Sequence, residues 1–194
     1  MIRLARLAPA ALLAPALLAA ALPALAADTY RVDPDHASVV FKVKHLGVSY
    51  TWGRFNEVGG TFVLDEQNPA ASRLEVVIKT ASVDTGNARR DRHLRNADFF
   101  DAEQFPEIRF VSKRMSRRES NLWEVTGDLT LHGVTRPLTV QVTKIGAGRD
   151  PWGGERAGGE LTFTIKRSDF GMGGMLEAVG DEVTLYVSLE GIKQ

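Results

Sequence analysis

Beyond residue 26, most of this chain consists of segments in which apolar and polar residues alternate. Val39, Phe41 and Val43 would share one face of such a segment, while Lys42 and Lys44 would share the other. The same alternation returns in residues 74–78, 161–165 and 183–189. Because successive side chains of a strand point to opposite faces, a period of two predicts strands with one apolar and one polar face. A sheet of such strands must close or stack to remove its apolar face from water.

The alternation and the turn residues between segments predict the order of elements. Strands are expected near residues 30–32, 37–45, 53–65, 73–81, 107–117, 121–131, 136–145, 158–166 and 182–192. A single helix is expected over Asn87–Asn96, with Asn87 as its N-cap. Several strands span about nine to eleven residues, longer than the usual five or six. This pattern predicts an all-β antiparallel fold and favours a barrel over a sandwich.

The first 26 residues have the features of an export signal. Arg3 and Arg6 precede an uncharged Ala/Leu run over residues 7–22, and Ala24 and Ala26 place small side chains at positions −3 and −1 of a cleavage site. We therefore expect residues 1–26 to be a cleaved signal peptide, with cleavage after Ala26 or, as the next choice, after Ala27. Residues 27–194 would then form a single secreted domain.

Composition excludes several classes of function. Because residues 1–26 hold two arginines and no acidic residue, the remaining 168 residues carry 22 basic and 24 acidic side chains. This balance argues against nucleic acid as a partner, since that requires a concentrated basic surface. The chain has no cysteine, which excludes disulfides, thiol catalysis and thiolate metal sites.

The histidines give little support for catalysis. His36, His45, His93 and His132 are not spaced like a metal-binding pair, and no nucleophile elbow or glycine-rich phosphate loop is present. We therefore expect no catalytic residue, no metal ion and no cofactor. An enzyme that uses His36 or His93 is therefore the least favoured interpretation.

Polar residues in two places suggest contacts with a charged group. Arg89, Arg90 and Arg92 occupy the opening turns of the predicted helix, where the helix dipole disfavours cations. Either neighbouring carboxylates or the anionic head group of a ligand would compensate for them. His45 is in phase with Phe41 on the apolar face, so it is either a core histidine or a contact for the polar end of a ligand.

Longer stretches of the chain resemble the YceI-like family of lipid- or polyisoprenoid-binding periplasmic proteins. The resemblance rests on RDRHLRNADFFD at residues 90–101 with FPEIRF at 105–110, HASVVFKVKHLG at 36–47, GDLTLHGVTRPL at 127–138 and RSDFGM at 167–172. It covers residues 28–192. His132 departs from the family pattern, which usually has an apolar residue before the loop glycine.

The resemblance implies a lipocalin-like antiparallel β-barrel of about eight strands with one short helical insertion. It also implies a periplasmic location, a homodimer, and an apolar tunnel that binds an isoprenoid or another long-chain lipid without catalysis. By strand phase, the residues expected to line the tunnel are Phe41, Val43, Phe55, Phe62, Leu74, Val76, Phe110, Leu129, Leu131, Leu161, Phe163 and Leu185. The candidates for a polar mouth are His45, Arg89, Arg90, His93 and Arg167.

Two further expectations concern partners. Transient contact with a membrane would accompany lipid exchange. The alternative to a carrier is an envelope interaction protein, in which the barrel is solidly packed and loop aromatics such as Trp52 and Trp152 bind a partner. The choice depends on whether the barrel interior is packed or open.

Overall fold

Eleven strands and one α-helix make up the computed structural model, which describes residues 27–194. In chain order they are β1 Asp28–Val32, β2 Ser38–His45, β3 Ser49–Phe55, β4 Val58–Leu64, β5 Arg73–Lys79, β6 Val83–Asp84, α1 Ala88–Arg95, β7 Glu107–Arg117, β8 Leu122–Leu131, β9 Val134–Arg149, β10 Glu155–Lys166 and β11 Val179–Lys193. The expected signal peptide lies outside the described residues. Among residues 27–194, no helix is long and apolar enough to span a membrane.

The strands form one closed antiparallel barrel. The pairs β1/β2, β3/β4 and β5/β6 each continue in one direction across a bend, so the eleven segments act as eight strands. The sheet closes because β11 pairs with β10 along one edge and with β2 and then β1 along the other. The barrel prediction is confirmed, and the sandwich is excluded because each of the eight strands has a neighbouring strand on both sides.

One predicted strand is divided in the structure, while the others differ only in where they begin or end. The expected strand over residues 53–65 begins four residues earlier, at Ser49, and is interrupted at Asn56 and Glu57. At this bend Ser82 replaces a neighbouring strand, since its carbonyl accepts from Asn56 N at 3.1 Å and its hydroxyl accepts from Glu57 N at 3.1 Å. The bend is therefore set by a residue distant in sequence, which local alternation does not reveal.

The helix matches its prediction. Asn87 is the N-cap, and its side-chain oxygen accepts from the backbone nitrogens of Arg89 at 3.1 Å and Arg90 at 3.0 Å. The helix and the segment after it lie across one end of the barrel, where Phe100 packs edge-on against Phe55 at 5.6 Å.

We call this end of the barrel the α1 end. The β2–β3 turn, the β8–β9 turn and the β10–β11 connection also lie there. Leu46 N donates to Ala178 O at 2.7 Å, and the His132 ring nitrogen lies 3.2 Å from Phe170 O. The β7–β8 and β9–β10 turns lie at the opposite end of the barrel. A mouth at the α1 end would be framed by four connections: the segment that contains α1, the β2–β3 turn, the β8–β9 turn and the β10–β11 connection.

Candidate functional site

The packed apolar side chains of the barrel interior enclose an apolar cavity. The centre of a water-sized molecule can occupy about 160 Å³ of this cavity. The whole empty space between the cavity walls, including the part that is open to solvent, is about 1280 Å³. For comparison, an engineered apolar cavity of about 150 Å³ in another protein binds benzene. The cavity is therefore of the size that holds a small apolar group, and a longer hydrocarbon chain requires the second cavity described below as well.

The cavity wall comes from the inward face of the strands. With the exception of Phe62, every residue predicted to line the tunnel lies on this wall. On β8, for example, alternate residues from Trp123 to Leu131 are buried, which places Leu129 and Leu131 inward. Strand phase was sufficient here because a side chain on the concave face of a closed sheet has no other place to point.

Residues outside the strands close the cavity at the α1 end, and the sequence prediction missed them. They are Leu94 on α1, Phe99 and Phe100 in the segment that follows it, and Met172 after β10. These positions have no period of two. The only local signal is that Leu94 and the Phe pair are the large apolar residues in an otherwise charged stretch.

A second, smaller cavity continues the first toward the opposite end. It offers about 90 Å³ to the centres of water-sized molecules and shares Leu74, Val142, Leu161 and Leu189 with the main cavity. Phe62 lies here, stacked on Tyr30 at 4.9 Å, so among the residues predicted to line the tunnel it belongs to the second cavity rather than the first. The inner faces of β4 and β8 thus extend the apolar space along the length of the barrel.

The arginines of α1 are at the surface of the α1 end. Arg90 donates from Nε to Thr85 Oγ1 at 2.7 Å and from a terminal nitrogen to Thr85 O at 2.8 Å. Thr85 Oγ1 in turn donates to the buried Asp91 carboxylate at 2.5 Å. A local threonine and carboxylate therefore compensate Arg90, while Arg89 is exposed.

The two mouth histidines are in different surroundings. His93 Nε2 lies 3.0 Å from the Asp98 carboxylate, and its ring packs edge-on against Phe99 at 5.0 Å. His45 is exposed, so it is not a core histidine, and a contact with the polar end of a ligand stays a prediction. The β2–β3 hairpin extends past the barrel rim, where strand phase no longer leads to burial.

Arg167 is buried in the cavity wall. Its guanidinium donates to three backbone carbonyls, those of Met172, Val179 at 2.7 Å and Gly180 at 3.0 Å. Burial lowers the pKa of the guanidinium, and the nearby Asp181 carboxylate opposes that change. Arg167 thus fastens the β10–β11 connection to the start of β11 beside the cavity. A contact between Arg167 and a ligand head group stays a prediction.

A polar cluster outside the cavity contains His36, the other histidine that was considered for catalysis. His36 Nδ1 lies 2.9 Å from Asp33, and Arg156 donates to Asp33 at 2.7 Å, to Glu190 at 2.5 Å and to Asp150 at 2.8 Å. Asp33, His36 and Glu190 are close enough to hold a cation. The Arg156 guanidinium already lies between the two carboxylates, and none of these side chains lines the cavity.

Comparison with known proteins gives consistent results. The family model described as the YceI-like domain matches residues 30–191. Protein YceI of Escherichia coli O17:K52:H18 is 46% identical over 173 residues, which cover 88% of this chain and 90% of that protein.

Solved structures agree with the barrel. The crystal structure of Burkholderia cenocepacia BcnA has a TM-score of 0.75 and 28% sequence identity, and the match covers 82% of this chain and 98% of that one. A polyisoprenoid binding domain from Saccharophagus degradans has a TM-score of 0.67 at 17% identity, over 85% of this chain and 98% of that one. At that identity the likeness concerns the fold alone.

Proposed function

Because the chain belongs to the YceI-like domain family, we propose that it is a binding and carrier protein for a polyisoprenoid or a similar long-chain amphiphile. The observation that carries this proposal is the apolar cavity, which continues into a second cavity along the barrel. The family and the fold support a binding protein rather than an enzyme. The structural neighbour from Saccharophagus degradans, described as a polyisoprenoid binding domain, supports the ligand class only through its similar fold.

The energetics of the cavity indicate how such a ligand would be held. Burying hydrocarbon is worth about 0.8 kcal/mol per methylene relative to water, so a five-carbon prenyl unit gains roughly 3–4 kcal/mol. A lipid bilayer offers the tail a similar apolar surrounding, and net transfer from a membrane is therefore close to neutral per unit. The tail thus supplies affinity against water, while selectivity has to come from polar groups at the cavity end.

The cellular location and the assembly of the protein are also part of the proposal. The predicted signal peptide supports export, and the family resemblance supports a periplasmic location and a homodimer. Residues 27–194 would be the single mature domain, and lipid exchange would involve transient contact with a membrane.

The cavity favours a carrier over the alternative of an envelope interaction protein. That hypothesis expects a solidly packed barrel, whereas the interior encloses an apolar cavity. Trp52, which the alternation placed in a loop, lies within β3 on the outward face of the barrel. Trp152 does lie in a turn, between β9 and β10 at the opposite end.

Native mass spectrometry with solvent extraction tests the proposal on protein exported to the periplasm and purified without detergent. We expect one prenyl or acyl lipid per chain. Leu161→Trp places a larger side chain where the two cavities meet and should reduce the lipid content severalfold. Thr162→Trp is the matched control, since Thr162 is exposed on the outward face of the same strand, and should keep its lipid.

Two results would contradict the proposal. One is a protein without lipid even after prenyl lipids have been offered to it. The other is equal lipid content in wild type and Leu161→Trp, which would mean that the lipid lies outside the cavity.

A further inference from the structure

Four large apolar side chains are exposed together at the α1 end. They belong to the β2–β3 turn and to the β10–β11 connection, which are joined by the hydrogen bond from Leu46 N to Ala178 O at 2.7 Å. Their exposed fractions are 59% for Leu46, 83% for Val48, 54% for Met175 and 45% for Leu176. We call these four residues the apolar tip. Apolar side chains clustered on a surface mark interaction sites, whereas isolated ones need no explanation.

The backbone of the apolar tip is unusual as well. Leu46 has a φ of 51° and Met175 a φ of 54°, both in the left-handed region that favours glycine. At Leu46 this is the backbone of a tight hairpin turn, since Gly47 has a φ of 72° and Val48 N donates to His45 O at 3.1 Å. In these conformations more than half of the Leu46 and Met175 side chains is exposed.

The surface behind the apolar tip changes in polarity with distance from it. Tyr50 and Trp52 share the outward face of the β3 side of the hairpin with Val48, about 7 and 14 Å further along at the usual strand rise. Trp52 stacks on Tyr186 at 5.5 Å, and Lys42 Nζ lies 5.1–5.7 Å from the centres of the Tyr50, Trp52 and Tyr186 rings.

This order of side chains matches the depth profile of a bilayer interface. Aliphatic side chains enter the acyl region, Trp and Tyr settle at the level of the head groups, and lysines extend their ammonium groups toward water. Helices that bind in the plane of a membrane bury about 5–10 Å of their depth, which would place Tyr50 at the boundary.

The apolar tip is next to the end of the cavity. His45, which precedes the tip, pairs with Val179, and Val179 and Met172 both line the cavity wall. The cavity is closed there by side chains from α1 and the segment after it rather than by strands. Arg89 and Arg92 are exposed on α1 at the same end, and neither forms an ion pair with another residue in the range 27–194.

We propose that the apolar tip inserts into the surface of a bilayer that contains anionic lipids, with Tyr50 and Trp52 at the level of the head groups. The α1 end is then the end through which a lipid passes between membrane and cavity. This inference rests on the proposed function, and it adds the partner surface and the orientation of the barrel on it.

Vesicle co-sedimentation tests the proposal with the mature protein and vesicles of phosphatidylglycerol and phosphatidylcholine. The double variant Val48→Ser/Leu176→Ser removes apolar surface without altering a left-handed residue, and its partition coefficient should fall about tenfold or more. The control, Ile145→Ser/Trp152→Ser, removes two exposed apolar side chains away from the apolar tip and should stay within about twofold of wild type.

Fluorescence adds the depth of insertion. In Trp152→Phe the remaining tryptophans are the exposed Trp52 and the buried Trp123, so a blue shift on adding vesicles would report Trp52. No vesicle binding by wild type, or equal loss in both double variants, would overturn the docking proposal. In that case, lipid found by native mass spectrometry in the same preparation would support the carrier function without membrane docking by the apolar tip.

A second copy of the chain is the competing occupant of the apolar tip. Analytical ultracentrifugation separates the two cases. If wild type is a dimer, the Val48→Ser/Leu176→Ser variant is a monomer and neither binds vesicles, the apolar tip is a subunit interface and the membrane proposal is wrong.

Discussion

A single arginine holds together two connections and one strand of the barrel. Arg156 at the start of β10 donates to Asp33 after β1, to Asp150 in the β9–β10 turn and to Glu190 on β11. Asp33 is almost fully buried, and a buried carboxylate is tolerated only when it is paired and hydrogen-bonded. Hydrogen bonds from Arg156 and then from His36 lower the pKa of Asp33 from 3.8 to about 2.

This depressed pKa predicts a defined acid sensitivity. The ionised Asp33 stabilises the fold fully above about pH 4, and this contribution is lost as the pH falls from about 4 toward 2. Asp33→Asn should lower stability at pH 7 by about 1–3 kcal/mol and flatten the acid dependence in that window. Thermal unfolding followed by circular dichroism between pH 2 and 8 measures both effects.

Asp35→Asn is the matched control for this prediction, since the Asp35 side chain is exposed two residues away and makes no contact with Arg156. His36 adds a smaller effect of opposite sign. Its pKa is raised by the hydrogen bond to Asp33, so its contribution is present below about pH 6.5 and is lost as the pH rises further. Parallel acid dependence in wild type and Asp33→Asn would refute the assignment.

At the scale of elements, the barrel depends on how closely neighbouring strands approach each other. In β4 two adjacent glycines, Gly59 and Gly60, have different surroundings. A Cβ on Gly60 would be 2.1 Å from the Glu75 carbonyl oxygen, and the residue has a φ of 142°. A Cβ on Gly59 would meet no atom within 4 Å. Gly60 thus allows β5 to approach closely, whereas Gly59 has no such constraint.

The adjacent pair provides a matched test of this reading. Gly60→Ala should destabilise the protein by more than about 2 kcal/mol, because a side chain there meets backbone on β5 in a conformation disfavoured for L residues. Gly59→Ala should change stability by less than about 1 kcal/mol in either direction. Urea unfolding of the two variants measures the difference, and equal effects would show that the close approach at Gly60 is not a constraint.

For the whole molecule, an apolar cavity within the core has a cost. Side chains on the wall lose the contacts that a filled interior would give them. The chain has no disulfide to compensate, since it contains no cysteine. A ligand in the cavity would restore those contacts, and the stability of the barrel should therefore depend on its lipid content.

We expect the lipid-loaded protein to unfold at a higher temperature than the same protein after lipid extraction and refolding. Ligand at a hundred times its Kd adds about 2.7 kcal/mol of stability. For a domain of this size that corresponds to roughly 5–10 °C in Tm. Calorimetry of both forms measures the shift, which should be smaller in Leu161→Trp. Identical Tm values for loaded and extracted protein would show that the bound lipid does not occupy the cavity.

Local sequence determined those features that depend on neighbours along the chain. Alternation assigned the inward face of nearly every strand, and Asn87 marked the helix start through a side-chain bond to backbone two and three residues away. Long strands favoured the barrel. Each of these follows from backbone geometry within a few residues.

Only the tertiary structure decided what those strands enclose. The alternation with a period of two predicts which side chains point inward. The space left between those side chains depends on how many strands close the sheet and on how the strands tilt. The bend at Asn56, the exposure of His45 and the buried carbonyl contacts of Arg167 likewise depend on partners far away in sequence. The cavity and the apolar tip beside it are therefore properties of the closed barrel, because they exist only where distant segments meet.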